Sequence, residues 1–332
     1  MTAPGSAANP GPAGASGRSA PIVIQTEELD GVCRDWLSER CRVVECAPDD
    51  PRLNGLLGEA AGLVVRTYTK VNRGLLDRAP RLKVVGRAGV GIDNIDVAAC
   101  RARGIEVVHT PDANTQAVVE LVTAFMLDAL RPRRLLTEPL DSGAWRRERA
   151  GLVAPRQLSE LSLGILGLGR VGKGVARVAG AIGMRVIYND VIEIAPEKRA
   201  GAAPVAQKEL FSSADVLSVH IDDRPGNRGF VSAELIGLLK PDAILINTSR
   251  GFVVDTPALG AWLRRDPSAQ AFVDVHEPEP IPAGYPLLDL PNARLTPHIG
   301  AATAAAHRNM SWVVRDVWLV LSGEKPQFPA PR

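Results

Sequence analysis

From residue 22 onward, short apolar segments alternate with stretches of helical character, and this alternation constrains the fold of the 332-residue chain most. The strand candidates of the first series run from Ile22-Val23-Ile24 to Ile105–Val108. A second series starts at Leu161 and contains six strand candidates: Leu163–Leu166, Arg185–Tyr188, Val216–Val219, Ala243–Ile246, Ala271–Val273 and Ala293–Leu295. Alternation of this kind favours parallel sheets with right-handed crossovers and helices on both faces. The sequence therefore predicts an α/β fold with two doubly wound parallel-sheet domains.

The composition is that of an ordinary globular protein, with 45% hydrophobic and 23% charged residues. A net charge of +2 gives no argument for nucleic acid or an acidic membrane surface, and no apolar run approaches the length of a membrane span. The four cysteines show no paired spacing, so we expect free thiols in a cytoplasmic protein and no metal site. Residues 1–20 are almost wholly Ala, Gly, Pro, Ser and Asn, which predicts a disordered tail.

A glycine-rich turn follows the first strand candidate of the second series. Gly167-Leu168-Gly169-Arg170-Val171-Gly172 comes directly after that strand and opens a predicted helix over Arg170–Ala181. In such a turn the first glycine allows a sharp bend, the second lets the backbone approach a pyrophosphate, and the third lets the helix pack close to the sheet. The helix N-terminus then favours the negative charge of the pyrophosphate. The motif therefore predicts a dinucleotide-binding loop.

An acidic residue for the adenosine ribose is expected at the end of the next strand. Asp190 lies there, close to the spacing from Gly167 that is typical of the ribose-binding acid. A carboxylate at this point accepts hydrogen bonds from both ribose hydroxyls and repels a 2′-phosphate. Because Val191 and Ile192 follow, no Arg or Lys stands beside Asp190 in the sequence, and NAD is favoured over NADP.

Three polar segments follow strand candidates near the end of the chain: Asn247–Gly251, Asp274–Pro280 and Thr296–Gly300. Each lies at the carboxyl end of a strand, where parallel sheets bind ligands. Within them Arg250 can hold a carboxylate by two parallel hydrogen bonds, and His298 can donate a proton to a carbonyl oxygen. Glu279, bonded to the other ring nitrogen, would favour the imidazolium and fix the ring. This trio suits redox chemistry on a 2-hydroxy or 2-oxo acid, with His298 as the base in the oxidation.

The same segments resemble the D-isomer-specific 2-hydroxyacid dehydrogenases, and most closely their phosphoglycerate dehydrogenase-like branch. The resemblance extends from about Arg66 to Trp318 and is also carried by the segment Val85–Asp96. It implies NAD, a homodimer, and a Rossmann NAD-binding domain inserted into a flavodoxin-like substrate domain built from both ends of the chain. We place the substrate domain at residues 21–125 and 303–328 and the NAD-binding domain at 126–302.

The resemblance also implies contacts for individual residues. Asp274 would hold the nicotinamide carboxamide, and Arg66, together with Lys70, could bind a distal anionic group. Backbone N–H groups would bind the substrate carboxylate along the loop of Ala88, Gly89, Val90 and Gly91. The residues expected to contact the cofactor are Gly167, Gly169, Arg170, Val171, Gly172, Asp190, Thr248, Asp274 and Gly300.

The chain departs from the family pattern in two places. After His220 the family usually has a proline two positions on and then a threonine-containing loop, whereas this chain has Ile221-Asp222-Asp223-Arg224. Two acids there would alter contacts near the adenosine end of the cofactor. Tyr68 stands where a smaller residue is expected, so the substrate need not be 3-phosphoglycerate.

Other readings stay open beside a dehydrogenase acting on a small 2-hydroxy or 2-oxo acid. An NAD(H)-sensing binding protein of the C-terminal-binding-protein corepressor type shares the fold and keeps the trio. A formate dehydrogenase-like enzyme is the weaker alternative, because that group has Gln where Glu279 stands. The other histidines, His109, His220, His276 and His307, are interpreted as structural or solvent-facing, with His276 as the strongest exception.

Overall fold

The computed structural model describes residues 20–131 and 133–331, so all but the last residue of the predicted disordered tail lies outside the described residues. The described residues form two compact units. The first holds the residues up to Arg87, Asn94–Val108 and those from Val313 onward, and the second holds Ala88–Asp93 and His109–Trp312. Within this part of the chain, no helix has both the length and the apolar character needed to cross a membrane.

The first unit contains a five-stranded sheet with the order β2-β1-β3-β4-β5, which is the flavodoxin-like order. Its strands are β1 (Ile22–Gln25), β2 (Arg42–Glu45), β3 (Gly62–Val65), β4 (Val84–Arg87) and β5 (Glu106–His109). Its helices are α1 (Gly31–Ser38), α2 (Leu53–Leu57), α3 (Arg73–Asp77), α4 (Val97–Ala102) and α12 (Val313–Ser322). Side chains of Asp30, Asn72 and Asp96 accept backbone N–H groups and so fix where α1, α3 and α4 begin.

The second unit contains a seven-stranded sheet with the order β12-β11-β10-β9-β6-β7-β8. Its strands are β6 (Ser162–Leu166), β7 (Arg185–Asn189), β8 (Ala203–Pro204), β9 (Val216–Val219), β10 (Ile244–Asn247), β11 (Gln270–Val273) and β12 (Ala293–Leu295). Its helices are α5 (Thr115–Leu130), α6 (Ser142–Gly151), α7 (Arg170–Ile182), α8 (Gln207–Ser213), α9 (Ala233–Ile236), α10 (Thr256–Arg265) and α11 (Ala304–Ser311). All of its neighbouring strands pair in parallel. The strand order is that of a Rossmann sheet with one further strand at its edge, so the predicted class of two parallel-sheet α/β domains is confirmed.

One strand of the second sheet was missed by sequence reasoning. All six predicted strands are present within about one residue of their predicted bounds, but the sheet has a seventh, β8. This strand has only two residues, both exposed, and the second is Pro204. So short a segment has no apolar run and no alternation, and its pairing with β7 alone identifies it as a strand.

Close helix packing places α5 in the second unit. A Cβ at Gly174 of α7 would lie 2.5 Å from a methyl carbon of Val119, so this glycine lets α5 approach α7 closely. All of α5 therefore packs within the second unit, whereas the predicted domain boundary at 125/126 falls inside this helix. The predicted boundary at 302/303 likewise precedes α11, which also lies in the second unit, and the chain passes to the first unit with α12.

Candidate active site

The predicted functional residues of the second unit follow the carboxyl ends of five strands in one sheet. Asp190 follows β7, the glycine-rich turn follows β6, and Arg250 follows β10. The Asp274 segment follows β11 and His298 follows β12. Because these strands are parallel, one edge of the sheet carries all five features.

The glycine-rich turn has the geometry that a dinucleotide pyrophosphate requires. Gly167 has a φ of +91°, and a Cβ on Gly172 would lie 2.4 Å from the carbonyl oxygen of Gly167. Both positions therefore exclude larger residues. Among the described residues, no side chain caps α7 at its N-cap Gly169, so its first N–H groups are available to an anion. Arg170, the first residue of α7, forms an ion pair with Asp112.

Asp190 is fixed by backbone N–H groups beside this turn. Its Oδ2 accepts the N–H of Leu168 at 2.8 Å, and its Oδ1 accepts that of Ile192 at 3.1 Å. A cation that sequence neighbours could not reveal also lies near: Arg224, from the loop after β9. Its hydrogen bond with Asp222 raises the pKa of Arg224, and the more distant carboxylates of Asp190 and Asp223 add to the effect.

Arg250 is held on several sides by its surroundings. Its Nη1 donates to the carbonyl oxygen of Ser249 at 2.8 Å, and its Nε and Nη2 donate to Oδ1 of Asp93 at 3.3 and 3.1 Å. A Cβ on Gly91 would lie 1.7 Å from Nη2, so the guanidinium lies directly against the predicted substrate loop. Oδ2 of Asp223 lies 3.9 Å from Nη2. This acid, expected near the adenosine end of the cofactor, thus stands beside the predicted substrate-binding arginine.

The predicted substrate loop of residues 88–91 is tied down by His109, the last residue of β5, and by Thr110 after it. The carbonyl oxygen of Gly89 accepts the N–H of Thr110 at 3.0 Å. Nδ1 of His109 lies 2.9 Å from the carbonyl oxygen of Val90. Ala88 is fully buried. His109, which has no motif context in the sequence, is thus a structural support of this loop.

The segment around Arg250 is self-bonded and contains one unpaired hydroxyl. Nδ2 of Asn247 donates to the carbonyl oxygen of Arg250 at 3.0 Å, and Oδ1 of Asn247 accepts from both the N–H and the hydroxyl of Ser249. Thr248 Oγ1 is buried and has no hydrogen-bond partner within the described ranges. An unpaired buried hydroxyl costs free energy unless a ligand satisfies it, so Thr248 fits its predicted place along the cofactor.

Glu279 and His298 form a direct pair. Nδ1 of His298 lies 2.9 Å from Oε2 of Glu279, and Oε1 of Glu279 accepts the backbone N–H of His276 at 2.8 Å. Burial raises the pKa of Glu279, but the hydrogen bonds from His298 and His276 outweigh burial, so this pKa lies below its ordinary value of 4.5. The carboxylate is therefore charged at neutral pH and holds the imidazole in one orientation.

Asp274 shapes the turn that carries His298. Its Oδ1 accepts the hydroxyl of Thr296 at 2.6 Å and the N–H of Ile299 at 2.8 Å, and its Oδ2 accepts the N–H of Gly300 at 2.8 Å. His298 itself has a φ of +55°, a conformation that is uncommon for a residue other than glycine. The buried carboxylate thus holds the histidine backbone in a strained conformation.

The Arg250 segment also meets the glutamate loop. A Cβ on Gly251 would lie 2.0 Å from the carbonyl carbon of His276, whose N–H is bonded to Glu279. The backbones that carry Arg250 and Glu279 are therefore in direct contact. His276, the strongest exception among the other histidines, is buried and bonded to the carbonyl oxygen of Thr296 and to the hydroxyl of Tyr285.

Arg66 lies in the first unit, after β3. Its Nη1 donates to the carbonyl oxygen of Glu28 at 3.1 Å. The loop that follows it wraps around the carboxylate of Glu27, which accepts the N–H groups of residues 66 to 69 and the hydroxyl of Thr69. Sequence reasoning missed Glu27, because its partners lie about 40 positions away.

In the second unit, the fold and the glycine-rich turn define a protein with a Rossmann-type dinucleotide-binding domain. Residues 123–300, more than half of the chain, match the family described as D-isomer specific 2-hydroxyacid dehydrogenase, NAD binding domain. The chain therefore belongs to the D-isomer-specific 2-hydroxyacid dehydrogenase family, as the sequence motifs predicted.

Individual relatives agree with this assignment. The chain is 40% identical over 269 residues to D-3-phosphoglycerate dehydrogenase of Methanocaldococcus jannaschii, covering 80% of this chain and 51% of the relative. It is 36% identical over 302 residues to (S)-sulfolactate dehydrogenase of Chromohalobacter salexigens, covering 89% of this chain and 96% of the relative. The chain thus spans about half the length of the phosphoglycerate dehydrogenases that it matches.

Solved structures show the same similarity. The TT0316 protein of Thermus thermophilus superimposes with a TM-score of 0.80 at 34% identity, covering 93% of this chain and 100% of the other. The NADPH-dependent glyoxylate/hydroxypyruvate reductase of Sinorhizobium meliloti, in complex with NADP and malonate, superimposes with a TM-score of 0.80 at 29% identity. The match covers 94% of this chain and 97% of the other.

Proposed function

We propose that this chain is an NAD-dependent dehydrogenase that interconverts a D-2-hydroxy acid and its 2-oxo acid. The observation that carries the proposal is the Glu279–His298 pair, which shares one sheet edge with Arg250 and with the glycine-rich turn. A cation for the substrate, a proton donor for the carbonyl oxygen and a dinucleotide-binding loop are what the reaction requires.

The substrate carboxylate is bound by Arg250. A guanidinium has five N–H groups, and three of those on Arg250 donate to Asp93 and Ser249. One N–H on each Nη atom is left, and these two are the donors available to a substrate carboxylate. They provide the two parallel hydrogen bonds that a carboxylate accepts, and they polarise the adjacent carbonyl.

The proton is transferred by His298. Because Nδ1 faces Glu279, Nε2 is the nitrogen that donates to the carbonyl oxygen during reduction. Glu279 keeps the ring oriented and stabilises its charged form, and in the oxidation the neutral ring takes the proton back. The residues that we assign to chemistry are therefore Arg250, Glu279 and His298.

The dinucleotide is held by the turn after β6 and by residues on either side of it. When bound, its nicotinamide supplies the hydride in reduction and accepts it in oxidation. The close approach at Gly172, the uncapped start of α7 and the unpaired Thr248 hydroxyl all fit such a ligand. Asp190 favours NAD over NADP by repelling a 2′-phosphate, and the nearby Arg224 is already paired with Asp222.

A spectrophotometric assay tests the proposal. Purified protein is mixed with NADH and a panel of aliphatic, hydroxylated, phosphorylated and aromatic 2-oxo acids, and the loss of absorbance is compared with the product formed. We expect at least one acid to be reduced stoichiometrically to its D-2-hydroxy product, with a lower KM for NADH than for NADPH. Binding of NADH without oxidation by any acid would instead favour the dinucleotide-sensing alternative.

A further inference from the structure

Asp223 places a second carboxylate beside the guanidinium of Arg250. Its Oδ2 lies 3.9 Å from Nη2 of Arg250. This oxygen is buried and accepts no hydrogen bond within the part of the chain that the structure describes. A distance of 3.9 Å is an ionic contact and too long for a hydrogen bond, so the oxygen keeps its need for a donor.

The same guanidinium is already neutralised by another acid. Asp93 accepts from both Nε and Nη2, so one cation faces two carboxylates before any substrate binds. The N–H of Nη2 that is left for a substrate lies on the nitrogen next to Asp223. A substrate carboxylate bound there is therefore close to the carboxylate of Asp223.

From this arrangement we propose that Asp223 is a specificity-determining residue, which selects 2-oxo acids that carry a hydrogen-bond donor beside the carbonyl and no second anionic group. The proposal rests on the proposed function and names the substrate class of that same site. A hydroxyl on the carbon next to the carbonyl would satisfy Oδ2 of Asp223. A phosphate or sulfonate attached there would offer no donor when ionised and would be repelled, since like charges a few ångströms apart interact strongly where water is partly excluded.

The proposal separates this chain from relatives named for substrates with two acidic groups. Phosphoglycerate and sulfolactate, after which those relatives are named, each carry a second anionic group. Sequence identity alone would suggest a substrate of this kind, with two acidic groups, for this chain. The charge around Arg250 instead favours a hydroxylated acid with a single negative charge.

Three acids with one carbon skeleton test the proposal: pyruvate, hydroxypyruvate and 3-phosphohydroxypyruvate. We compare kcat/KM with NADH for the wild type and for Asp223→Asn, which keeps the size of the side chain and removes its charge. The wild type is expected to prefer hydroxypyruvate over both other acids. In Asp223→Asn the ratio of phosphohydroxypyruvate to hydroxypyruvate should rise about tenfold or more, mainly through a lower KM for the phosphorylated acid.

Asp222→Asn is the matched control, because it removes an equal charge one position away. Asp222 is paired with Arg224, and its loss should leave the ratio between the acids unchanged. Added salt should reduce the wild-type preference for hydroxypyruvate over phosphohydroxypyruvate. The effect on Asp223→Asn should be smaller, since screening weakens only a charge that is present. Thermal unfolding of each variant shows whether it is folded.

Two results would overturn the inference. One is a wild type that prefers phosphohydroxypyruvate over hydroxypyruvate. The other is an Asp223→Asn variant whose ratio of kcat/KM for these two acids equals that of the wild type, including the case in which only the KM for NADH rises. Binding of the three acids to the protein in the presence of NADH, measured by calorimetry, gives the same ratio without turnover. If no acid oxidises NADH but the binding ratio still shifts in Asp223→Asn, the proposed function fails and the charge selection stands.

Discussion

Arg250 is positioned by contacts that restrict it to one orientation. The carbonyl oxygen of Ser249, the carboxylate of Asp93 and the bare backbone at Gly91 surround the guanidinium. A planar group held in this way presents two N–H groups at fixed spacing. Arginine suits this place because lysine offers a single charged atom and cannot make the same parallel contacts.

We predict that Arg250→Lys lowers kcat/KM for the preferred 2-oxo acid by about 100-fold or more, which corresponds to roughly 3 kcal/mol of transition-state stabilisation. The charge is retained, so the loss measures the two-point contact. Steady-state kinetics with NADH checks this, with Arg265→Lys on an exposed part of α10 as the control. Near-wild-type turnover in Arg250→Lys would remove Arg250 from the role we assign to it.

The proposed roles of Glu279 and His298 predict how the reaction depends on pH. The pKa of Glu279 is lowered, so its carboxylate is charged from weakly acidic pH upward and faces Nδ1 of His298 throughout the working range. In Glu279→Gln this negative charge is lost, so the charged form of the proton donor loses its partner. We therefore predict that reduction weakens chiefly on the alkaline side of the pH profile.

The measurement for this pair is kcat/KM for the 2-oxo acid between about pH 5 and 9, a range that brackets the ordinary histidine pKa. Glu277→Gln is the control, because Glu277 is a neighbouring acid whose side chain is half exposed. An identical alkaline limb in wild type and Glu279→Gln would argue against the pairing as the source of the pH dependence.

At the scale of elements, the loop after β3 takes its shape from one carboxylate. Glu27 accepts four successive N–H groups, of residues 66 to 69, and the hydroxyl of Thr69. Burial raises the pKa of Glu27, but these backbone hydrogen bonds outweigh burial and leave the pKa below 4.5. The N–H groups of this loop are thus already occupied by an anion from the chain itself. For the predicted binding of a distal anionic group, Arg66 therefore contributes through its side chain.

We predict that Glu27→Gln lowers the free energy of unfolding by about 1–3 kcal/mol at pH 7, the usual cost of leaving such donors unpaired. Because the folded-state pKa is depressed, this stabilisation is fully present above the ordinary value of 4.5 and is lost as the pH falls through the lower folded-state pKa. Urea unfolding at pH 7 and near pH 3 should therefore show a gap between wild type and variant that closes in acid. Glu59→Gln, an exposed acid of the same unit, should show no gap at either pH.

The sequence predicted the elements better than their contacts, for a physical reason. Apolar runs and the spacing of glycines are local signals, so the strands and the turn at Gly167 could be found from them. Glu27, Asp93 and His109 carry no local signal, since their partners lie about 40, 157 and 19 positions away. The same holds for Arg224, which reaches the neighbourhood of Asp190 only when β9 takes its place in the sheet.

At the scale of the whole molecule, one segment of the second unit exposes apolar side chains that a single chain does not cover. No residue of α6 is buried, and Trp145 within it is 48% exposed. Leu135 before the helix and Val153 after it are 87% and 76% exposed. Large apolar side chains grouped in one segment are typical of an interaction surface. Since the family resemblance implies a homodimer, we propose that a second copy of this chain covers them.

We predict that Leu135→Asp combined with Trp145→Ala converts a dimer into a monomer, because the change removes apolar area and places a charge where the surfaces meet. Sedimentation velocity over a hundredfold range of concentration measures the mass directly. Val32→Asp is the matched control: Val32 is 58% exposed on α1 of the first unit, so the same change of charge there should leave the dimer intact. A wild type that sediments as a monomer at every concentration would exclude the dimer. A double variant that stays dimeric would show that the dimer interface does not include the α6 segment.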